Sequence, residues 1–192
     1  DRIDLVDKPE MKSKVNIKFS AKNRSGKEVV RIKNYDLKID SKILIKDINL
    51  NLFYGEKAAI IGKNGTGKTT LLKEIFKFSK RDFESFKISP SAKIGYLEQN
   101  LKFESNSTIL DTFKSIHPGL DGNIRNYLVK FKFFGDDVFK KTACLSGGEK
   151  VRLKLAILMK KDINFLILDE PTNHIDIKTR DVLENALKEF DG

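Results

Sequence analysis

The stretch "GKNGTGKT", Gly62 to Thr69, constrains the fold of this chain more than any other. An apolar run, "AAII" (58–61), precedes it, and Leu71, Leu72, Ile75 and Phe76 follow at helical spacing. The order is therefore strand, glycine loop, helix, with the helix predicted from Lys68 to about Lys77. Gly62, Gly65 and Gly67 carry no Cβ, so successive backbone N–H groups can close around phosphate oxygens. The following helix points the positive end of its dipole at the same place. Lys68 brings a cation to the terminal phosphates of a nucleotide, and Thr69 a hydroxyl for Mg²⁺. Lys63, Asn64, Thr66 and Thr70 complete the loop and its exit.

Such a unit belongs in an α/β fold, and the rest of the chain supplies matching pieces. "EVVRIKNYDLKI" (28–39) and "INLNLFYGEKAAIIG" (48–62) read as strands, the second leading straight into the loop. "AKIGYLEQN" (92–100) reads as a strand with a polar exit, and "NFLILDE" (164–170) as a buried strand ending in carboxylates. Val151, Leu155, Leu158 and Met159 fall on one face of a helix from Gly147 to Met159. Val182, Leu183, Ala186, Leu187 and Phe190 mark a closing amphipathic helix. Between them, residues 106–141 are expected to be mostly helical, with turns at "HPGLDG" and "GDD". Strands alternating with helices imply a mainly parallel sheet. Residues 1–27 are polar, lysine-rich and broken by Pro9 and Gly26, like the end of a linker, with "VNIKF" (15–19) alternating like one short strand.

Composition narrows the setting. The longest apolar runs, such as "FLIL" (165–168), are far too short to span a bilayer. Cys144 is the single cysteine, which rules out an internal disulfide, suits a reducing cytosol and reads as a small buried side chain beside Leu145. Lys and Arg outnumber Asp and Glu by 37 to 27, for a formal charge of +10. That balance suits an anionic partner such as RNA, and equally a solubilising lysine surface. With Asp1 at its start and no secretory leader, the chain reads as a piece of something longer.

The carboxylates of "FLILDE" match the glycine loop chemically. Asp169 is expected to hold Mg²⁺, directly or through water, and Glu170 to polarise the attacking water as general base. Gln99, at the end of a strand, reads by itself as a solvated edge residue. "LSGGE", Leu145 to Glu149, poses a puzzle, because two glycines at a helix start forgo roughly 1 kcal/mol each relative to alanine. Ser146 is a good N-cap with Glu149 at capping-box spacing, but capping needs neither Gly147 nor Gly148. Close approach of backbone N–H groups to a phosphate does. One cradle already surrounds a nucleotide at Gly62–Thr69. The economical expectation is that the second helix start faces the γ-phosphate held by another, similar domain, so that two domains packed head to tail would sandwich two ATP molecules; plain capping by Ser146 is the alternative.

This combination resembles the ATP-binding-cassette (ABC) superfamily over nearly all of residues 29–192. "LSGGE" is similar to its signature, Gln99 to its Q-loop, and "NHID" (173–176) to its D-loop, with Asp176 the acidic position. The resemblance implies a P-loop NTPase cassette with a mainly parallel sheet, a small antiparallel β region and a helical subdomain at about 101–145. It implies that Gln99 is a further Mg²⁺ and water contact, that Ser146 and Gly148 touch the partner's γ-phosphate and that His174 is structural; neither His174 nor His117 is expected to bind metal. More narrowly, "FGDDVFKKTACLSGGEKVRLKLAIL" and "LILDEPTNHIDIKTRDVLENAL" resemble the ABC-F family. These are soluble, cytoplasmic twin-cassette ATPases without membrane domains, many of which bind ribosomes as translation or antibiotic-resistance factors. The chain then looks like a second cassette, residues 28–192, preceded by the end of the inter-cassette linker. Its implied partners are ATP, Mg²⁺, the other cassette, and the ribosome with its rRNA. An ATPase subunit of a membrane transporter is the alternative, which the compact stretch between Gln99 and Leu145 and "EPTNH" disfavour. Two departures stand out. The family's adenine-stacking aromatic position falls near Ile39, with Tyr35 four residues earlier expected in the core. The chain also stops at "KEFDG", before the strand that ends in a switch histidine, so the isolated fragment is expected to bind nucleotide but turn over very slowly.

Overall fold

A computed structural model of the protein describes residues 26–78, 84–173 and 175–192. The strand expected at 15–19 and His174 lie outside the described residues. Strands β1 (Glu28–Ile39) and β2 (Lys42–Phe53) form a long antiparallel hairpin, and β3 (Phe86–Ile88) pairs with the other edge of β1. The inward face of β1 carries Val30 and Ile32 by alternation, and register shifts between Ile32 and Leu37 bring Leu37 to the core as well; all three are buried. Helix α1 (Lys68–Phe78) lays Leu71 and Ile75 into the same apolar cluster.

Tyr35 belongs to this core, as expected. Its hydroxyl donates to the Glu74 carboxylate at 2.9 Å, and its ring meets Phe86 edge-on at 5.4 Å. Burial, together with the Glu74 carboxylate, pushes this hydroxyl up to about 12. Ile39, at the end of β1, is exposed.

A second cluster is built around a parallel pair, β4 (Ile94–Leu97) and β5 (Phe165–Leu168), in register from Ile94↔Phe165 to Leu97↔Leu168. Helices α2 (Ile109–Ile116), α3 (Asp121–Val129), α4 (Gly147–Lys160) and α5 (Ile177–Glu189) pack their apolar faces there. Its fully buried members include Phe113, Leu128, Phe131, Phe133, Leu153 and Leu155. Each contributes roughly 1.5–3 kcal/mol by leaving water. Two carbonyls near the end of α4 accept from other elements: Ala156 from the Tyr127 hydroxyl at 3.1 Å and Ile157, in the last turn, from His117 Nε2–H at 3.0 Å. Buried Arg152 reaches from α4 to the Phe131 and Lys132 carbonyls (3.3 and 2.9 Å) and lies over the Phe133 ring.

The fold departs from the sequence expectations at three points. "AAII" is not a strand: residues 54–63 have no regular structure, and Ile61 is 93% exposed. Apolar residues make a strand only beside a hydrogen-bonding neighbour, and among the described residues β5 pairs with β4 alone. Conversely, β3 went unread because it is three residues long, and its pairing with β1 creates it. Cys144 is exposed. It closes a 3₁₀ turn, Thr142–Cys144, that buries Thr142, whose hydroxyl donates to the Glu104 carbonyl at 2.5 Å. Successive side chains around so tight a turn point in different directions.

Candidate nucleotide site

The glycine loop adopts the backbone that its composition allows. Gly65 (φ 80°) and Gly67 (φ 101°) occupy the left-handed region. A Cβ on Gly67 would come within 3.2 Å of Leu44 and 3.3 Å of Leu37, so the loop lies tightly on the β1–β2 hairpin. Lys68 folds back across the loop, its Nζ donating to the carbonyls of Gly62 (2.8 Å) and Lys63 (2.9 Å). The Thr66 hydroxyl also donates to Lys63, at 2.9 Å. Gly62 to Thr66 are exposed, including Lys63 and Asn64, while Thr70 sits in the first turn of α1. A cation and a helix start thus converge on one accessible loop, which suits a polyphosphate.

The carboxylates stand where β5 delivers them. Asp169 is 2% exposed and is held on both oxygens: the Thr69 hydroxyl donates to Oδ1 at 2.9 Å and the Tyr96 hydroxyl to Oδ2 at 3.1 Å. Burial, followed by the Asp169 charge, raises the Tyr96 hydroxyl well above its ordinary value. Tyr96 was not anticipated from sequence; its only signal is a phenol on the strand beside the one bearing Asp169. Thr69 and Asp169 offer oxygen donors to a single point, the chemistry that a hard cation such as Mg²⁺ requires. Among the described residues no cluster of three His, Cys, Asp or Glu side chains forms. A cation here would complete its shell with other oxygen donors, such as phosphate, water or the amide oxygen of Gln99.

Glu170 follows in the left-handed region, φ 49°. Its Oε2 accepts from Gln99 Nε2 at 2.8 Å and from Asn173 Nδ2 at 2.5 Å. The hydrogen bond of Gln99 thus goes to Glu170. Asn173 opens the "NHID" segment read as resembling the D-loop, but its contact with Glu170 was not expected. These groups line a cleft of about 540 Å³, across from Gly147 and Lys150 at the start of α4.

The signature segment carries the capping box in full. Ser146 Oγ accepts from the Glu149 N–H at 3.2 Å, and Glu149 Oε2 accepts from the Ser146 N–H at 2.9 Å. Its two glycines differ. Gly147 is exposed, and a Cβ on it would meet nothing within 4 Å. Gly148 is buried; a Cβ would lie 2.5 Å from Asp176 Oδ2 and 2.7 Å from Thr179 Oγ1. Asp176 is the N-cap of α5, accepting from the Thr179 N–H at 2.8 Å. The glycine at 148 is therefore required inside this chain, by the crossing of two helix starts. That requirement was invisible in the sequence.

Among the described residues no helix is long and apolar enough to cross a membrane. The profile of the ABC transporter family matches residues 45–173. The chain is 40% identical over 196 residues to the putative ATP-binding protein YdiF of Bacillus subtilis, covering 100% of this chain and 30% of that protein. It is 36% identical over 193 residues to ABC transporter F family member 5 of Arabidopsis thaliana, covering 98% of this chain and 28% of the relative. It is 37% identical over 178 residues to the energy-dependent translational throttle protein EttA of Mycobacterium tuberculosis, covering 88% and 31%. The chain thus spans about a third or less of the length of these relatives. A putative ABC transporter ATP-binding protein from Pyrococcus furiosus shares the fold, with a TM-score of 0.64 at 23% identity over 84% of this chain and 86% of that one. With the glycine loop, the Thr69–Asp169 pair and Glu170 in one site, and the profile matched across all of them, this chain is an ATP-binding domain of the ABC transporter ATPase family.

Proposed function

We propose that this domain is one cassette of a twin-cassette ABC-F protein that binds ATP with Mg²⁺, hydrolyses it in a site completed by the other cassette, and acts on the ribosome. In this reading residues 1–27 end the linker between cassettes, and 101–145 form the helical subdomain. The observation that carries the chemistry is the meeting of Thr69, Gln99 and the adjacent Asp169 and Glu170 from three separate segments. The phosphates lie on the N–H groups of Gly62 to Thr70, with Lys68 exchanging its carbonyl partners for phosphate oxygens. Thr69 and Asp169 hold Mg²⁺, with Gln99 a further contact, and the bound cation neutralises charge that develops on the transferred phosphoryl group. Glu170 takes the proton of the attacking water.

Ser146 and Gly147 present an exposed, capped helix start that fits a γ-phosphate held by the other cassette, with Gly148, Glu149 and Asp176 shaping it. Exposed Ile39 offers an aliphatic surface to the base. The ribosomal role is supported by the relative named as a translational throttle protein, the F-family relatives and the formal charge of +10. In the intact protein, Glu170→Gln is expected to trap ATP and to co-sediment with ribosomes at low salt, with the association falling steeply as salt rises. Sedimentation of the ATP-loaded variant free of ribosomes refutes the ribosomal role. Co-purification with membrane-embedded partners instead assigns the domain to a transporter.

A further inference from the structure

The turn after β5 contains a contact that the chemistry above leaves unused. Asp169 closes the strand with its N–H on the Leu97 carbonyl at 3.0 Å, and Glu170 then turns through the left-handed region. Three residues on, the Asn173 N–H meets the Glu170 carbonyl at 3.2 Å. The backbone alone closes this turn, which leaves the Asn173 side chain free to do something else. It reaches Glu170 Oε2 at 2.5 Å, the same oxygen that Gln99 approaches from the loop after β4 at 2.8 Å. A carboxylate only accepts, so both amides must present nitrogen. One donor leaves a glutamate tip able to swing about that bond; two donors of separate origin hold it still.

We propose that Asn173 is a positioning residue for ATP hydrolysis: with Gln99 it fixes the Glu170 carboxylate in the orientation from which it takes a proton from the attacking water. This rests on Glu170 being the general base. The Asn173 backbone is itself anchored, because its N–H rests on the Glu170 carbonyl. Asn173 therefore has a fixed platform from which to hold the carboxylate.

The experiment measures steady-state ATP hydrolysis by the intact protein with Asn173→Asp, Asn173→Ala, Glu170→Gln and the Asn173→Asp/Glu170→Gln pair. Aspartate keeps the shape and turn preference of asparagine but replaces a donor with a second negative charge. The expected result is a roughly ten- to hundredfold fall in kcat for Asn173→Asp, a smaller fall for Asn173→Ala, and KM for ATP within about twofold in both. On the Glu170→Gln background, followed by single-turnover release of labelled phosphate, Asn173→Asp is expected to change the residual rate less than about twofold. A merely structural asparagine gives the reverse order, with aspartate near wild type and alanine worst, and that order overturns the proposal. Equal losses on both backgrounds, or a change in KM alone, overturn it as well while leaving Glu170 as the base. A wild-type rate for Glu170→Gln instead removes the general-base reading itself, and the role of Asn173 with it.

Discussion

Gly148→Ala and Gly147→Ala differ by one position and are expected to differ in sign. At Gly148 the new methyl group stands 2.5 Å from Asp176 Oδ2 and 2.7 Å from Thr179 Oγ1, where ordinary contact begins at 3.4 Å. The carboxylate is not a loose end that can step aside. Its Oδ1 accepts from the Thr179 N–H at 2.8 Å and its Oδ2 from the Thr179 hydroxyl at 3.1 Å. Displacing it sacrifices the α5 cap, about 1 kcal/mol, and separating the two helix starts adds about 1–3 kcal/mol of overpacking. Helix propensity returns at most about 1 kcal/mol. The net loss is roughly 1–3 kcal/mol, or a fall of several degrees in Tm for a domain of this size. At Gly147 the methyl meets open space, so stability is unchanged or improved by up to about 1 kcal/mol, while ATP-dependent association with the other cassette weakens under the proposed function. Thermal and urea unfolding of both variants measure the first effect, and ATP-dependent cassette association the second. A Gly148→Ala protein as stable as wild type would refute the packing argument. A destabilised Gly147→Ala protein would show that its surroundings are not open.

Three further outcomes follow from contacts in the two clusters. Tyr96→Phe removes a donor from a buried carboxylate and is expected to cost about 1–3 kcal/mol of stability; it should also weaken Mn²⁺ binding to the nucleotide complex about tenfold, read by electron paramagnetic resonance. Unchanged Mn²⁺ affinity would mean that Asp169 needs no help from the phenol. Arg152→Met keeps the bulk over Phe133 but removes the guanidinium hydrogen bonds to the Phe131 and Lys132 carbonyls, and denaturant unfolding should register a loss of about 1–3 kcal/mol. Burial, aided by the charges of Lys161 and Lys160 and opposed by the Ile157 carbonyl, holds the His117 imidazole below its ordinary value of about 6.5. The folded state thus prefers the neutral ring: its contribution is full above about pH 6.5 and is lost as pH falls through the lowered value. His117→Gln should therefore flatten the dependence of Tm on pH between about 7 and 5; an unchanged slope would remove His117 as its source.

Where periodicity and local chemistry act together, the sequence was readable. Helix α1 runs over Lys68–Phe78 almost as its apolar spacing required, and β5 ends on its two carboxylates. The capping box at Ser146 and Glu149 needed only a three-residue spacing to be seen. What escaped notice depends on a neighbour far along the chain. The glycine at 148 answers to Asp176, the phenol of Tyr96 to Asp169, and the Asn173 amide to a turn that only the left-handed Glu170 creates. "AAII" erred the other way, having the right composition for a strand but no described neighbour to bond with.

The ammonium group of Lys68, resting on the carbonyls of Gly62 and Lys63, serves as a placeholder within its own loop. Under the proposed function, an arriving triphosphate would not have to shape a slack segment; it would evict an occupant already matched to the curve of the backbone. Capture is then an exchange of partners, two carbonyls released for phosphate oxygens gained, with little ordering left to do. Lys68→Ala consequently removes a brace as well as a charge, so its empty loop should exchange amide hydrogens faster even where no nucleotide is present.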